Sequence, residues 1–123
     1  MTRAVLEGIT FGLRDSVEIL QEMKLPLSRM LLMGGGAKSP FLRQLQADVF
    51  GLPVVRVNRE EGPAFGAALL AAVCAGVYKD VASACKATLE RLPAEKPDRK
   101  ATKAYAAPYA RFQALYPALR GNF

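Results

Sequence analysis

Met30-Leu31-Leu32-Met33-Gly34-Gly35-Gly36-Ala37-Lys38-Ser39-Pro40 carries four apolar residues straight into three glycines and then into a Ser-Pro pair. An apolar run of this length closed by glycine predicts a strand buried on both faces, as in a parallel sheet. Glycine lacks a Cβ, so the backbone can turn sharply here and another group can approach closely. Ser39 is placed to cap a helix and Pro40 suits its first position. That helix would point unpaired N–H groups and the positive end of its dipole back at the turn, a setting in which a nucleotide can sit. The same geometry also serves many chains simply as a turn. Neither common phosphate motif is matched: there is no G-x-x-x-x-G-K-[ST], the glycines do not continue as G-x-G-x-x-G, and Lys38 has the wrong spacing for a P-loop lysine.

Moving outward, the helix after the turn carries Leu42, Leu45 and Val49 on one face and stops at Gly51, a natural position for a left-handed cap. Arg43, Gln44, Gln46 and Asp48 are expected to face water. Pro53-Val54-Val55-Arg56-Val57 reads as a second, β-branched strand, which gives a right-handed parallel crossover with the first. Upstream, Arg3 to Lys24 is helical, with Val5, Ile9, Leu13, Val17 and Leu20 forming its inner stripe and Leu6 and Met23 widening it. Gly8 and Gly12 each weaken that helix by about 1 kcal/mol relative to alanine. They are tolerable if backbone or a flat ligand packs on their side.

Downstream, Arg59-Glu60-Glu61-Gly62-Pro63 makes a turn whose carboxylates suit the start of a helix. The helix itself, Ala64 to Ala75, is built of small residues, so it is either a central packing element or a sliding contact between domains. Asp80 caps a further helix whose inner face holds Val81, Ala84, Cys85, Thr88, Leu89 and Leu92. A polar linker, Lys96 to Lys103, leads to a last helix from Ala104 to Leu119, with Tyr105, Tyr109, Phe112, Tyr116 and Leu119 along one side as core.

The 123 residues set the size of one small domain, and 51% apolar composition is enough for a core. The longest apolar run, Ala64 to Val77, is dominated by Ala and Gly and lacks membrane character, and the first residues do not read as a signal peptide. Cys74 and Cys85 stand apart from any metal-ligand spacing and read as reduced, buried thiols, so a cytoplasmic protein is expected. The net charge of +6 raises nucleic acid as a partner, but the basic residues are spread along the chain and the densest run holds Asp98 and Pro97 without aromatics. Neither nucleic acid nor membrane is expected as a partner. With no histidine, Ser-His and Cys-His chemistry is excluded, and catalysis would rest on carboxylates or a bound cofactor. Four or five helices against two strands make a poor sheet, since a central strand needs partners on both edges. The expectation is that the other strands lie upstream on a longer chain.

Taken in order, Arg3-Ala4-Val5-Leu6-Glu7-Gly8, Gly34 to Pro40, Ala47-Asp48-Val49-Phe50-Gly51-Leu52-Pro53-Val54, Glu61 to Ala68, and Tyr109 with Leu115-Tyr116-Pro117-Ala118-Leu119 resemble the C-terminal end of the FGGY family of carbohydrate kinases, most closely its xylulokinase branch. The resemblance implies an α/β fold, the helix-rich C-terminal part of a ribonuclease-H-like, actin-like ATPase domain with parallel strands flanked by helices. Residues 1–95 would be a C-terminal kinase subdomain, part of the ATP-binding domain, with 96–123 a linker and helix packing back on it. It further implies ATP and Mg²⁺ as cofactors and a pentulose as acceptor, D-xylulose going to xylulose 5-phosphate, with gluconate, ribulose or glycerol as other acceptors. Gly34, Gly35, Gly36 and Ala37 would form the adenosine motif, Lys38 and Ser39 would contact adenine or ribose, and Arg3 and Glu7 would border the pocket. The small-residue helix, with Gly62, Gly66 and Ala67, resembles a hinge between domains. The family's phosphate-binding strand pair, sugar pocket and catalytic aspartate have no counterpart in these residues, so the chain alone is expected to be inactive and prone to self-association. The rival reading is a non-catalytic interaction module that keeps the fold. A third, a basic nucleic-acid binder, would show steep salt dependence.

Overall fold

The computed structural model describes residues 1–59 and 62–122. Its elements in chain order are α1 (Thr2–Glu22), β1 (Met30–Leu32), a 3₁₀ turn (Gly35–Lys38), α2 (Pro40–Phe50), β2 (Val54–Arg56), α3 (Gly62–Cys74), α4 (Val81–Thr88), α5 (Arg99–Leu119) and a closing 3₁₀ turn (Arg120–Asn122). β1 and β2 run parallel, pairing Met30 with Val54, Leu31 with Val55 and Leu32 with Arg56. The expected helix-rich α/β architecture is therefore present: two parallel strands joined through α2 and flanked by helices.

Several local expectations hold for the reasons given. Ser39 caps α2 by accepting from the Leu42 N–H at 3.3 Å, with Pro40 at the first helical position. Gly51 closes that helix in the left-handed conformation, φ 67°, ψ 20°. Asp80 and Ser83 cap α4 reciprocally, the Ser83 N–H donating to Asp80 and the Ser83 hydroxyl oxygen accepting from the Asp80 N–H. These hydrogen bonds hold the Asp80 carboxyl below its usual pKa, foremost the one from the Ser83 backbone.

The core lies between α1, α2, α5 and one face of the sheet: Phe11, Val17, Leu45, Ala47, Val49, Phe50, Val54 and Tyr109 are buried together. Phe11 sets the angle between α1 and α5, its ring meeting those of Tyr105, Tyr109 and Phe112 at centroid distances of 6.0, 5.7 and 5.6 Å. The Tyr109 hydroxyl donates to Asp15 Oδ1 at 2.5 Å and accepts from Gln113 Nε2 at 2.8 Å, while the Arg14 guanidinium lies 4.1 Å over its ring. Burial, helped by Asp15, pushes the Tyr109 phenol well above its ordinary pKa.

The inner face of α1 is in part the one expected: Val17 is buried and Leu6 packs at the core's edge, whereas Val5, Ile9 and Leu13 are exposed and Thr10 and Phe11 are buried instead. Helix α1 is apolar on two flanks, and the flank that offers Phe11, its one aromatic ring, faces α5. A Cβ built on Gly8 or Gly12 meets nothing within 4 Å, so among the described residues no other backbone packs there.

β1 is not buried on both faces either. Leu31 is 54% exposed and opens into a groove of about 640 Å³ shared with Val57, Cys85, Lys86 and Leu89. β1 has one strand neighbour among the described residues, while the outer edge of β2 is covered by the segment after α4: the Glu95 N–H donates to Val54 and the Val54 N–H to Glu95, with Arg91 opposite Val57. Leu89 and Leu92 therefore lie past the end of α4 rather than on its inner face, and Val81 is exposed.

On α2, Gln46 and Asp48 are buried instead of solvated; for Asp48 the reason is that its Oδ1 accepts from the Asp98 N–H and from Gln44 Nε2, both at 2.8 Å. That contact anchors the start of α5, which begins at Arg99, five residues before the expected Ala104. Asp98 supplies the cap by accepting from the Lys100 and Ala101 N–H groups, and those bonds depress its pKa, foremost the one from Ala101. The expected linker is thus half helix. At the far end Tyr116 and Leu119 are exposed, contrary to the expected core stripe. Cys74 is exposed on α3 and Cys85 half-buried, so neither thiol is fully buried. No helix among the described residues is long and apolar enough to cross a membrane. The carboxylate pair Glu60 and Glu61 lies outside the described residues.

Candidate functional site

The chain leaves β1 at its carboxyl end and enters the glycine turn through Gly34, whose φ of 80° and ψ of −169° lie in a region that is essentially glycine-only. The next residues close a single 3₁₀ turn, the Ala37 N–H donating to the Gly34 carbonyl at 3.0 Å and the Ser39 N–H to that of Gly36 at 3.2 Å. Ala37 is buried under the turn. A Cβ on Gly36 would come within 3.1 Å of Leu42 Cδ2, so this glycine lets the turn lie against α2. Gly35 is different: its conformation is not left-handed, and a Cβ there meets nothing within 4 Å. Among the described residues nothing demands a glycine at that position. A bare, outward-facing backbone is what a flat ligand lying along it would require.

Behind the turn stands Arg43. Its Nη1 donates to the carbonyls of Ala37 at 2.7 Å and Lys38 at 3.2 Å. Its Nε and Nη2 lie 3.0 and 2.9 Å from Glu95 Oε1. Expected to be solvated, its side chain is only 11% exposed. The sequence signal that could have found it is a cation in the opening residues of a helix whose first turn holds no acid, where the dipole disfavours positive charge. Glu95, 52 residues away, carries no such signal.

The structure brings Gly34, Gly35, Gly36, Ala37, Lys38 and Ser39 together at the mouth of α2, with Lys38 exposed and Ser39 half-buried. The Ser39 hydroxyl oxygen accepts from the Leu42 N–H. Gly62 at the start of α3 closes one side, where an added Cβ would meet Met33 Cε at 3.1 Å. Arg3 and Glu7 make their contacts with one another and with α5: the Arg3 guanidinium donates to Glu7 at 2.9 Å and to the Tyr105 hydroxyl at 3.2 Å, and that hydroxyl donates to Glu7 at 3.1 Å. The bond to Glu7 raises the Arg3 pKa further, and burial raises that of Tyr105. Among the described residues no three His, Cys, Asp or Glu side chains gather as metal ligands.

Strand, glycine turn and helix place the molecule among α/β proteins that offer a bare backbone and a helix N-terminus at the carboxyl end of a parallel sheet. Comparison with known proteins narrows the class. The model of the C-terminal domain of the FGGY family of carbohydrate kinases matches residues 1–75, and the chain belongs to that family. It is 39% identical over 114 residues to a xylulose kinase of Staphylococcus epidermidis, covering 93% of this chain and 23% of the relative. It is 45% identical over 82 residues to a ribulokinase of Mycolicibacterium smegmatis, covering 67% of this chain and 15% of that protein. The ligand-bound crystal structure of a xylulose kinase from Lactobacillus acidophilus superposes with a TM-score of 0.86 at 28% identity, over 98% of this chain and 24% of that one. The chain thus spans about a quarter or less of the length of these relatives.

Proposed function

We propose that this chain forms the adenosine-binding half-site of an ATP-dependent sugar kinase of the xylulose kinase type. In this reading the backbone of Gly34, Gly35, Gly36 and Ala37 lies along the nucleotide, and Lys38 and Ser39 reach adenine or ribose. The positive end of α2 favours the anionic ligand. ATP would pass its γ-phosphate to a hydroxyl of a ketopentose, D-xylulose by likeness to the xylulose kinases. The base that takes the hydroxyl proton, the metal ligands and the sugar pocket are assigned to the remaining three quarters of such a kinase, so the chain alone binds nucleotide without turnover. Residues 1–95 act as the kinase subdomain, with 96–123 as an appended helix that packs back on it, and α3 as the hinge.

The observation that supports this reading is the open flank of Gly35, glycine where neither its conformation nor packing among the described residues requires it. The test is titration with ATP and ADP of the wild-type chain and of Gly35→Leu, beside a coupled ADP-release assay with xylulose. Expected are nucleotide binding lost in the variant and no turnover. Turnover above background would overturn the assignment of the base elsewhere. Absence of binding, both in the chain alone and in the chain joined to the N-terminal three quarters of the S. epidermidis enzyme, would overturn the half-site.

A second reading, a non-catalytic interaction module, is favoured by α3. A helix apolar all round is normally buried. Here Leu69 is its one buried residue among those described, and Leu70 is 55% exposed. A module of this kind would bind another protein and ignore nucleotide, so the same titration separates the two.

A further inference from the structure

We infer that Arg43 is a positioning residue for nucleotide binding: it clamps the glycine turn by its carbonyls and so holds the turn's amides and the Gly35 backbone where the ligand lies. The inference rests on the half-site reading above. Three consecutive glycines form the most conformationally free segment a chain can have, and the entropy of ordering them opposes binding unless the turn is already shaped. The two internal turn bonds fix Ala37 and Ser39, but they are accepted by Gly34 and Gly36, and the carbonyls of Ala37 and Lys38 need donors of their own. Arg43 meets both from below through one nitrogen. The rest of its planar fork is held by Glu95, on the segment that is itself hydrogen-bonded to β2. Sheet edge, carboxylate, guanidinium and turn thus form one continuous chain of charge-assisted bonds. A lysine could satisfy one of these partners but not three in a plane.

The experiment compares wild type, Arg43→Gln and Arg43→Lys, with Asp48→Asn as a control that loosens α2 from Asp98 without touching the turn. Three quantities are read: ADP affinity by titration, amide hydrogen exchange at Ala37 and Ser39, and melting temperature. Expected are ADP binding about tenfold weaker in both Arg43 variants, with faster exchange at those two amides, whereas Asp48→Asn melts earlier and binds as wild type does. Two variants are used so that a failure of Arg43→Gln to fold leaves Arg43→Lys to decide. Wild-type affinity and exchange in a folded Arg43 variant would overturn the positioning role and leave the half-site standing. If the wild-type chain alone binds no ADP, the same variants are titrated in the chain joined to the N-terminal three quarters of the S. epidermidis enzyme; absence of binding there too would overturn the half-site, and exchange alone would then judge whether Arg43 shapes the turn.

Discussion

Replacing Gly34 and Gly35 one at a time with alanine should give opposite results, although the residues are adjacent and both Cβ atoms would enter open space. At Gly34 the backbone sits at φ 80°, ψ −169°. An L-residue there costs about 1–3 kcal/mol of torsional strain. No neighbouring side chain is struck, so no repacking can relieve it. At Gly35 alanine is conformationally acceptable, and the reduced freedom of the unfolded chain should stabilise by about 0.4–1 kcal/mol. The two variants should therefore differ by roughly 1.5–4 kcal/mol. For a domain of this size each kcal/mol moves the melting temperature by about 4 °C. Gly34→Ala should melt below wild type and Gly35→Ala at or slightly above it, about 6–16 °C apart, as read by thermal unfolding in circular dichroism. Equal melting temperatures would refute the left-handed entry into the turn, and with it the argument that Gly35 is kept for something outside the chain.

Other perturbations probe the scaffold. Phe11→Ala removes the ring that three aromatic residues of α5 pack on, and should cost about 3–5 kcal/mol in chemical denaturation; a loss under 1 kcal/mol would mean α5 is held otherwise. Asp80 and Asp98 have pKa values below the unfolded 3.8, so their contribution is fully present well above that value and is lost as pH falls through the folded pKa. Asp98→Asn should flatten the acid side of the melting-temperature profile, and a profile parallel to wild type would contradict the cap. Leu31→Lys, placed on the open face of β1, should shift sedimentation of the chain toward monomer if that strand mediates self-association. An unchanged distribution would point to α3 instead.

Local chemistry made much of this readable from the sequence. Ser39-Pro40, Gly51 and Asp80 mark helix ends through bonds to residues within a few positions, so the two-strand crossover and its glycine turn follow from the sequence. What escaped was decided by distant partners. Arg43 and Asp48 have the polarity of surface residues, and beside their local bonds to Ala37, Lys38 and Gln44 they are held inside by Glu95 and Asp98, about 50 positions on. Asp98 likewise starts α5 early, because Asp48 fixes its N–H. The inner flank of α1 was ambiguous because both flanks are apolar, and the choice fell to the rings of α5. Leu31 reads as doubly buried because its strand has the composition of a central one, while this chain supplies a single neighbouring strand among the described residues.

The claim at the centre of this account is that the glycine turn binds nucleotide. Amide chemical-shift mapping of the chain during titration with ADP tests it residue by residue. The account predicts saturable shifts centred on Gly34 to Ser39 and the first turn of α2, abolished in Gly35→Leu. Shifts that fall elsewhere, or that persist unchanged in that variant, would contradict it.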